Sequence, residues 1–540
     1  MAGEAFRCAW KDRLLLPQTS ELCKICRLVG SRSHQAILWI MLSFLATICS
    51  LEGQSPSQAP SNPSAASQVP LSGRTTLQPG TVSVNQSTTN TGGANSAIVI
   101  NSSVNVQPPF SGSTSNGTKN GSVLPLTLEQ ALNLGLKLNL GNITQSETLH
   151  QSEGQRLVAR SSLLPNLNTV VSEEVEQLNL ATVGVSFPGI PKIVQFNFFD
   201  ARAARLTQAV FDFIRLQNLH SASANVKAAL ESVRNARDLV VLAVGGSYLQ
   251  LIATEARIGA AAAQVETSRA VYQQAADRLS AGLNARIDAT RSQVQLQTDE
   301  ERLRALRADL DKQKLSLARI IGLPRGQQFS VVGTFPYTAL SGLTVDSALD
   351  RAYASRADLR AAAEGVRAAE ASVKAARAER LPYLNLTADY GAAGLRPTAS
   401  AHGVYSVYGT LTIPLYEGGR VHGDIEQAEA ALRNRKAEEE DLRGQVDQDV
   451  REAFINLDEA ADQVELARSN QNLAHDTLTQ ARDRFTAGIA DTVELVQAEQ
   501  TVVQADNDFI SAIFEHNLAK ISLARSIGAA EHSILQFLKP

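Results

Sequence analysis

The chain has 540 residues, a formal net charge of −4 at pH 7 and only 5% aromatic residues. That charge, with no basic stripe interleaved with aromatics, argues against a nucleic-acid partner. Few aromatics beside long alanine-rich runs suit close helix packing better than the large core of a multidomain enzyme.

All four cysteines, Cys8, Cys23, Cys26 and Cys49, lie in the first fifty residues. Cys23 and Cys26 form a single C-x-x-C with no second pair to complete a zinc cage and no strand–helix redox context. Arg27, Arg32 and His34 then precede the apolar run 36–48. A basic segment before about a dozen apolar residues is the pattern of a secretory signal, and it is short for a membrane-spanning helix. Residues 1–53 are therefore read as a signal segment. Cys49 closes the run in a box resembling that of lipoproteins, which makes it the candidate for lipidation; Ile48 stands where a small residue is wanted. Residues 54–124, rich in Ser, Thr, Asn, Gln, Gly and Pro, are predicted to be a disordered spacer.

From Leu126 onward the chain repeats itself. Leu126-Thr-Leu-Glu-Gln-Ala-Leu132 matches Leu343-Thr-Val-Asp-Ser-Ala-Leu349, and Leu164-Pro-Asn-Leu167 matches Leu381-Pro-Tyr-Leu384, at an offset of 217. Beyond them the offset is 206. Tyr248 matches Phe454, Asp277-Arg-Leu-Ser-Ala-Gly282 matches Asp483-Arg-Phe-Thr-Ala-Gly488, and Ser316–Gly322 matches Ser522–Gly528. The predicted organisation is a first repeat at 125–322, a connector at 323–342, a second repeat at 343–530 and a tail at 531–540. Each half reads as helix, two strands, long helix, turn and helix.

In the second half the opening helix is predicted over Leu343–Arg380, ended by Pro382. Alternating runs follow at 383–390 and 404–413, with counterparts of less regular alternation at about 166–180 and 193–211. Strands of about ten residues with one apolar face suit a membrane barrel; alternation alone favours a half-buried soluble sheet, but the rest of the chain is long helix and offers these strands no candidate core. Four strands cannot close a membrane barrel, so several copies would have to contribute.

The long helix is clearest over Asp424–Phe485, which holds no proline and one glycine, Gly444. Stepping from Ile425 in threes and fours to Phe485 meets apolar residues at fourteen of eighteen positions, a single helical stripe. Such a helix is roughly 90 Å long, and its 3.5-residue period predicts left-handed supercoiling against partner helices.

With these repeats stand Arg356-Ala-Asp-Leu-Arg360, Leu206-Thr-Gln-Ala-Val-Phe-Asp212, Pro414-Leu-Tyr-Glu-Gly-Gly-Arg420 and the paired Ala-Gly turns. In this order the chain resembles the TolC-like outer-membrane efflux proteins from Leu126 to Gly528. The resemblance implies a mainly α protein with a membrane β portion. It implies a homotrimer, in which four strands per chain form a twelve-stranded β-barrel on a long α-helical barrel. The implied role is the outer-membrane channel of a tripartite efflux pump, or of type I protein secretion. The implied partners are a periplasmic adaptor, an inner-membrane transporter and outer-membrane lipid. A periplasmic coiled-coil scaffold is the reading from another class, and the strands argue against it.

The resemblance places the working sites at the two helix turns, Ala281–Ala285 and Ala487–Asp491. Gly282, Leu283, Gly488 and Ile489 become candidates for adaptor docking. Asp288, Glu494 and Asp491 become candidates for a charged periplasmic entrance. Gln497 and Ala490 depart from the pattern, leaving Arg286 on the other hairpin as the available cation. The eight histidines show no metal-ligand spacing, and no phosphate loop or nucleophile elbow occurs. Gly245-Gly246 falls inside a helical run, where it eases packing. No enzyme, cofactor or metal site is expected.

Overall fold

The computed structural model describes residues 82–89, 99–115, 117–119, 121–184, 191–282, 285–333, 337–340, 342–397, 400–487, 489 and 492–538. The signal segment with its cysteines, including Cys49, lies outside the described residues.

Each repeat opens on a capped helix pair. In the first, α1 (Leu128–Leu138) is capped by Thr127, whose hydroxyl accepts from Gln130 N at 3.3 Å in a capping box. Thr344 does the same for α5 (Val345–Ser355). The threonine of each repeat start is thus a helix cap. A second helix follows each, α2 (Leu140–Ser161) and α6 (Ala357–Ala378). The single helix predicted over 343–380 is therefore two. Arg356 leaves helical geometry at ψ 120°, and its guanidinium reaches Asp358 and Asp449 at 2.7 Å each. Its counterpart Asn139 breaks the first repeat in the same place. Its buried side chain donates to the carbonyls of Phe110 and Ile320 and accepts from Gly141 N.

The strands stand where the alternation placed them: β4 (Asn166–Asn179), β5 (Ile193–Phe211), β7 (Tyr383–Gly394) and β8 (His402–Thr412). They form one antiparallel sheet in the order β4-β5-β7-β8, so β4 and β8 are its edges. Register puts Leu167, Val171, Tyr390, Tyr405, Val407 and Leu411 on one face. All six are exposed, Tyr405 to 80%. Among the described residues no layer covers that face, as a soluble sheet would need.

From the sheet the chain enters α3 (Phe213–Ser280), turns into α4 (Arg286–Ile321), and in the second repeat enters α7 (Arg420–Thr486) and α8 (Thr492–Ser526). The 68 residues of α3 correspond to roughly 100 Å of helix. The helices α2, α3, α6 and α7 pack in that order side by side, and α3 against α8 joins the two hairpins. Of the eleven buried residues of α7, all but Val450 lie on the predicted stripe. Alanines on it, such as Ala453, Ala460 and Ala467, let the backbones approach.

The main core gathers at the middle of α3. Two short strands, β3 (Leu124–Thr127) and β6 (Phe329–Val332), pair in parallel there, tying the start of the first repeat to the connector. The predicted spacer is not wholly without structure. β1 (Val82–Thr89) and β2 (Val99–Val106) form an antiparallel hairpin, and Phe110 is buried against Gly141. The alternating pairs Val82/Val84 and Val104/Val106 supply an apolar face that the Ser/Asn-rich composition conceals. A Cβ on Gly246 would stand 2.4 Å from the Val104 side chain, so the glycine pair inside α3 serves packing. The segment 531–540 begins inside α9 (Ala530–Phe537), whose Ile534 is buried in the same core.

Candidate functional site

The two helix turns lie at the ends of α3 and α7 remote from the sheet. At the first, Ala281 N donates to Asp277 O and Gly282 N to Leu279 O, with Gly282 at φ 70°, a conformation that glycine reaches without a Cβ clash. At the second, Ile489 N reaches back to Arg484 O at 2.9 Å, and the Ile489 side chain is 73% exposed. Leu283, Gly488, Ala490 and Asp491 lie outside the described residues.

Asp288 and Glu494 each fall in the first turn of the returning helix. There the unpaired backbone N–H groups favour a negative charge. Glu494 pairs with Arg484 of its own hairpin at 3.3 Å. Both groups are well exposed, so water and salt weaken that bond. Arg286 is exposed and, among the described residues, neither it nor Asp288 has an ion-pair partner within the protomer. The turns are held together behind this charged layer. Phe485 of α7 is buried against Val271 of α3 and Leu495 of α8.

Two further polar clusters had no signal in the sequence. The first lies further along the same helices from the candidate entrance, where Asp299, Glu499 and Ser268 are buried between the two hairpins. Burial, and secondarily the Asp299 charge, push the Glu499 carboxyl up to about 7. The second lies on the polar face of the sheet. The Asp389 carboxylate accepts from Arg205 at 2.7 Å, and Arg202 stands 3.9 Å from it. A β-bulge makes this possible. Residues 201 to 204 of β5 oppose 392 to 390 of β7, one residue more than the partner, so Arg202 and Arg205 reach the same face. Each cluster joins residues far apart in sequence, which is why neither shows as a motif.

The outer membrane efflux protein family model matches residues 147–323 and 348–529, the bodies of the two repeats. The chain is 21% identical over 423 residues to the outer membrane protein TolC of Escherichia coli (strain K12), covering 75% of this chain and 85% of TolC. A shorter match, 26% over 176 residues, is to the outer membrane protein OprJ of Pseudomonas aeruginosa; it spans 32% of this chain and 37% of OprJ. The fold is similar to the Campylobacter jejuni CmeC outer membrane channel, with a TM-score of 0.66 at 14% identity, covering 84% of this chain and 98% of CmeC. With more than half of its length inside the family match, the chain belongs to the outer membrane efflux protein family, and is a TolC-like outer-membrane channel of an efflux pump.

Proposed function

We propose that three copies of this chain close one twelve-stranded barrel in the outer membrane. In this reading their helical hairpins form the passive duct through which an inner-membrane transporter drives its substrates. The observation that carries it is the four-stranded sheet with, among the described residues, an uncovered apolar face and two unpaired edges. Lipid accepts the apolar face, but only closure satisfies the edges. At the opposite end the exposed Gly282 and Ile489 turns suit a periplasmic adaptor, whose small-residue contact would be excluded by bulk at Gly282.

Asp288 and Glu494, with Asp491 three residues before Glu494 in the sequence, supply up to nine carboxylates to the mouth of such a trimer. A ring of that sign attracts cations and repels anions. Two measurements test the reading. Light scattering of detergent-extracted protein should give the mass of a trimer, and a monomer released without detergent would overturn the assembly. In planar bilayers the wild type should prefer cations, and D288K with E494K should abolish that preference. An unchanged preference would remove these residues from the entrance.

A further inference from the structure

Glu499 is the least accommodated charge in the described helices. It is 1% exposed within a single protomer, and neither carboxylate oxygen has a hydrogen-bond partner. A carboxylate so placed forfeits its hydration without replacement, whereas its neutral acid is tolerated. The group facing it across the hairpin contact is Asp299 of α4, also buried. Asp299 accepts from Ser268 Oγ of α3 at 2.5 Å and from Gln295 Nε2 at 3.2 Å, donors that suit a carboxylate. The cation facing it is Arg482 of α7, which is exposed and makes no hydrogen bond to it.

The duplication supplies an internal control. At the offset of 206, Glu499 corresponds to Gln293, Asp299 to Ala505 and Ser268 to Ala474. Within the second hairpin the places of Ser268 and Asp299 are thus filled by two buried alanines, while Gln293, in the place of Glu499, is exposed. Packing inside a hairpin therefore does not require an acid at the Asp299 position.

We propose that Glu499 and Asp299 form a proton-operated latch between the two helical hairpins of each protomer. With a proton on Glu499 the pair carries one negative charge and α8 stays seated on α3 and α4. When Glu499 releases that proton to water, two like charges face each other in a dry contact and the hairpins part at this level. The sign follows from the raised pKa, about 7 against an ordinary 4.5. Seating is complete below about 4.5 and is lost as pH rises through about 7. The latch lies beside the candidate entrance, so parting there widens the duct close to its mouth.

The test uses the full-length chain with its four cysteines replaced by serine and spin labels at I287C and V493C, one on each hairpin. Raising the pH from about 5.5 to 8.5 should lengthen the label separation in this background. E499Q, a neutral mimic of the protonated acid, should hold the short separation throughout. An infrared titration should show a protonated carboxyl band disappearing near neutrality, absent in E499Q. A separation that ignores pH, or that lengthens equally in E499Q, would overturn the latch. If E499Q does not assemble, D299N replaces it and should lower the infrared midpoint; an unmoved midpoint again overturns the proposal. None of these readouts requires the protein to conduct, so failure of the duct and failure of the latch are separable.

Discussion

The Arg278 guanidinium lies 4.7 Å above the centroid of the Phe485 ring, joining the first hairpin to the second just before their turns. Phe485 is 3% exposed, so the aromatic is a plug and the cation its lid. Phe485→Ala should remove about 3–5 kcal/mol from this layer. Hydrogen exchange should then speed up at both turns while the core around Tyr248 stays protected. Arg278→Met keeps the apolar stem and loses only the cation–π contact, about 0.5–1 kcal/mol. Equal exchange in wild type and Phe485→Ala would show that the turns are held by something else.

Tyr248 links three elements through one hydroxyl. Its oxygen lies 2.8 Å from the carbonyls of Leu126 and Val332 and accepts from Val332 N at 3.1 Å. The side chain is fully buried, so Tyr248→Phe strands polar backbone groups where no water reaches. The expected loss is about 1–3 kcal/mol, read as a lower denaturation midpoint with no change in assembly. At the corresponding place the second repeat carries Phe454. Phenylalanine therefore fits the helix, and only the β3–β6 pair makes the hydroxyl necessary.

The long elements were legible because each repeats one physical demand many times. The stripe from Ile425 to Phe485 contains nearly every buried residue of α7. The strands were legible from Tyr383 and Val404 onward, where the alternation is clearest. In the first repeat the alternation is irregular for a reason that only the register shows. The bulge at 201–204 shifts the phase of β5 by one residue and a second irregularity at 209–211 shifts it back, so the side chains between them fall on the other face from strict alternation. The hairpin β1–β2 was hidden by composition, since five valines among serines and asparagines do not change an average. Glu499 and Asp299 were hidden by distance, because a period marks which face is buried but not which residue waits there.

Docking of α9 should depend on acid. Arg237 Nε donates to Glu531 at 2.7 Å, and that bond holds the Glu531 carboxyl below its ordinary 4.5, against the opposing effect of burial. A lowered folded value means that the contribution is present above about 4.5 and is lost as pH falls through the folded value. Neighbouring Asp238 runs the other way, raised chiefly by burial, so it cannot produce acid release. Protease cleavage near residue 530 should therefore appear only well below the ordinary carboxylate value of 4.5, and Glu531→Gln should already show it at neutral pH. If cleavage in both is the same at every pH, the ion pair does not seat this helix.

Replacing Asp389 by asparagine tests whether the polar face of the sheet is the lining of the duct. In the wild type Asp200 and Asp389 balance Arg202 and Arg205, so the cluster carries no net charge. Asp389→Asn leaves one uncompensated arginine in each protomer. The channel should then shift toward anions relative to wild type, and the shift should shrink as salt rises, because exposed charges are screened within about 10 Å at 0.1 M. Pairing it with Arg205→Gln restores neutrality and should restore the wild-type reversal potential. Gly391 separates this electrostatic effect from distortion. Its Cβ would stand 2.0 Å from Ala201 O, so Gly391→Val should disturb the bulge itself and lower the yield of assembled protein. A shift in selectivity from Asp389→Asn that the second substitution reverses would place these arginines on the conducting path. No shift at any salt concentration would put the cluster away from permeating ions and leave it the task of holding β5 against β7.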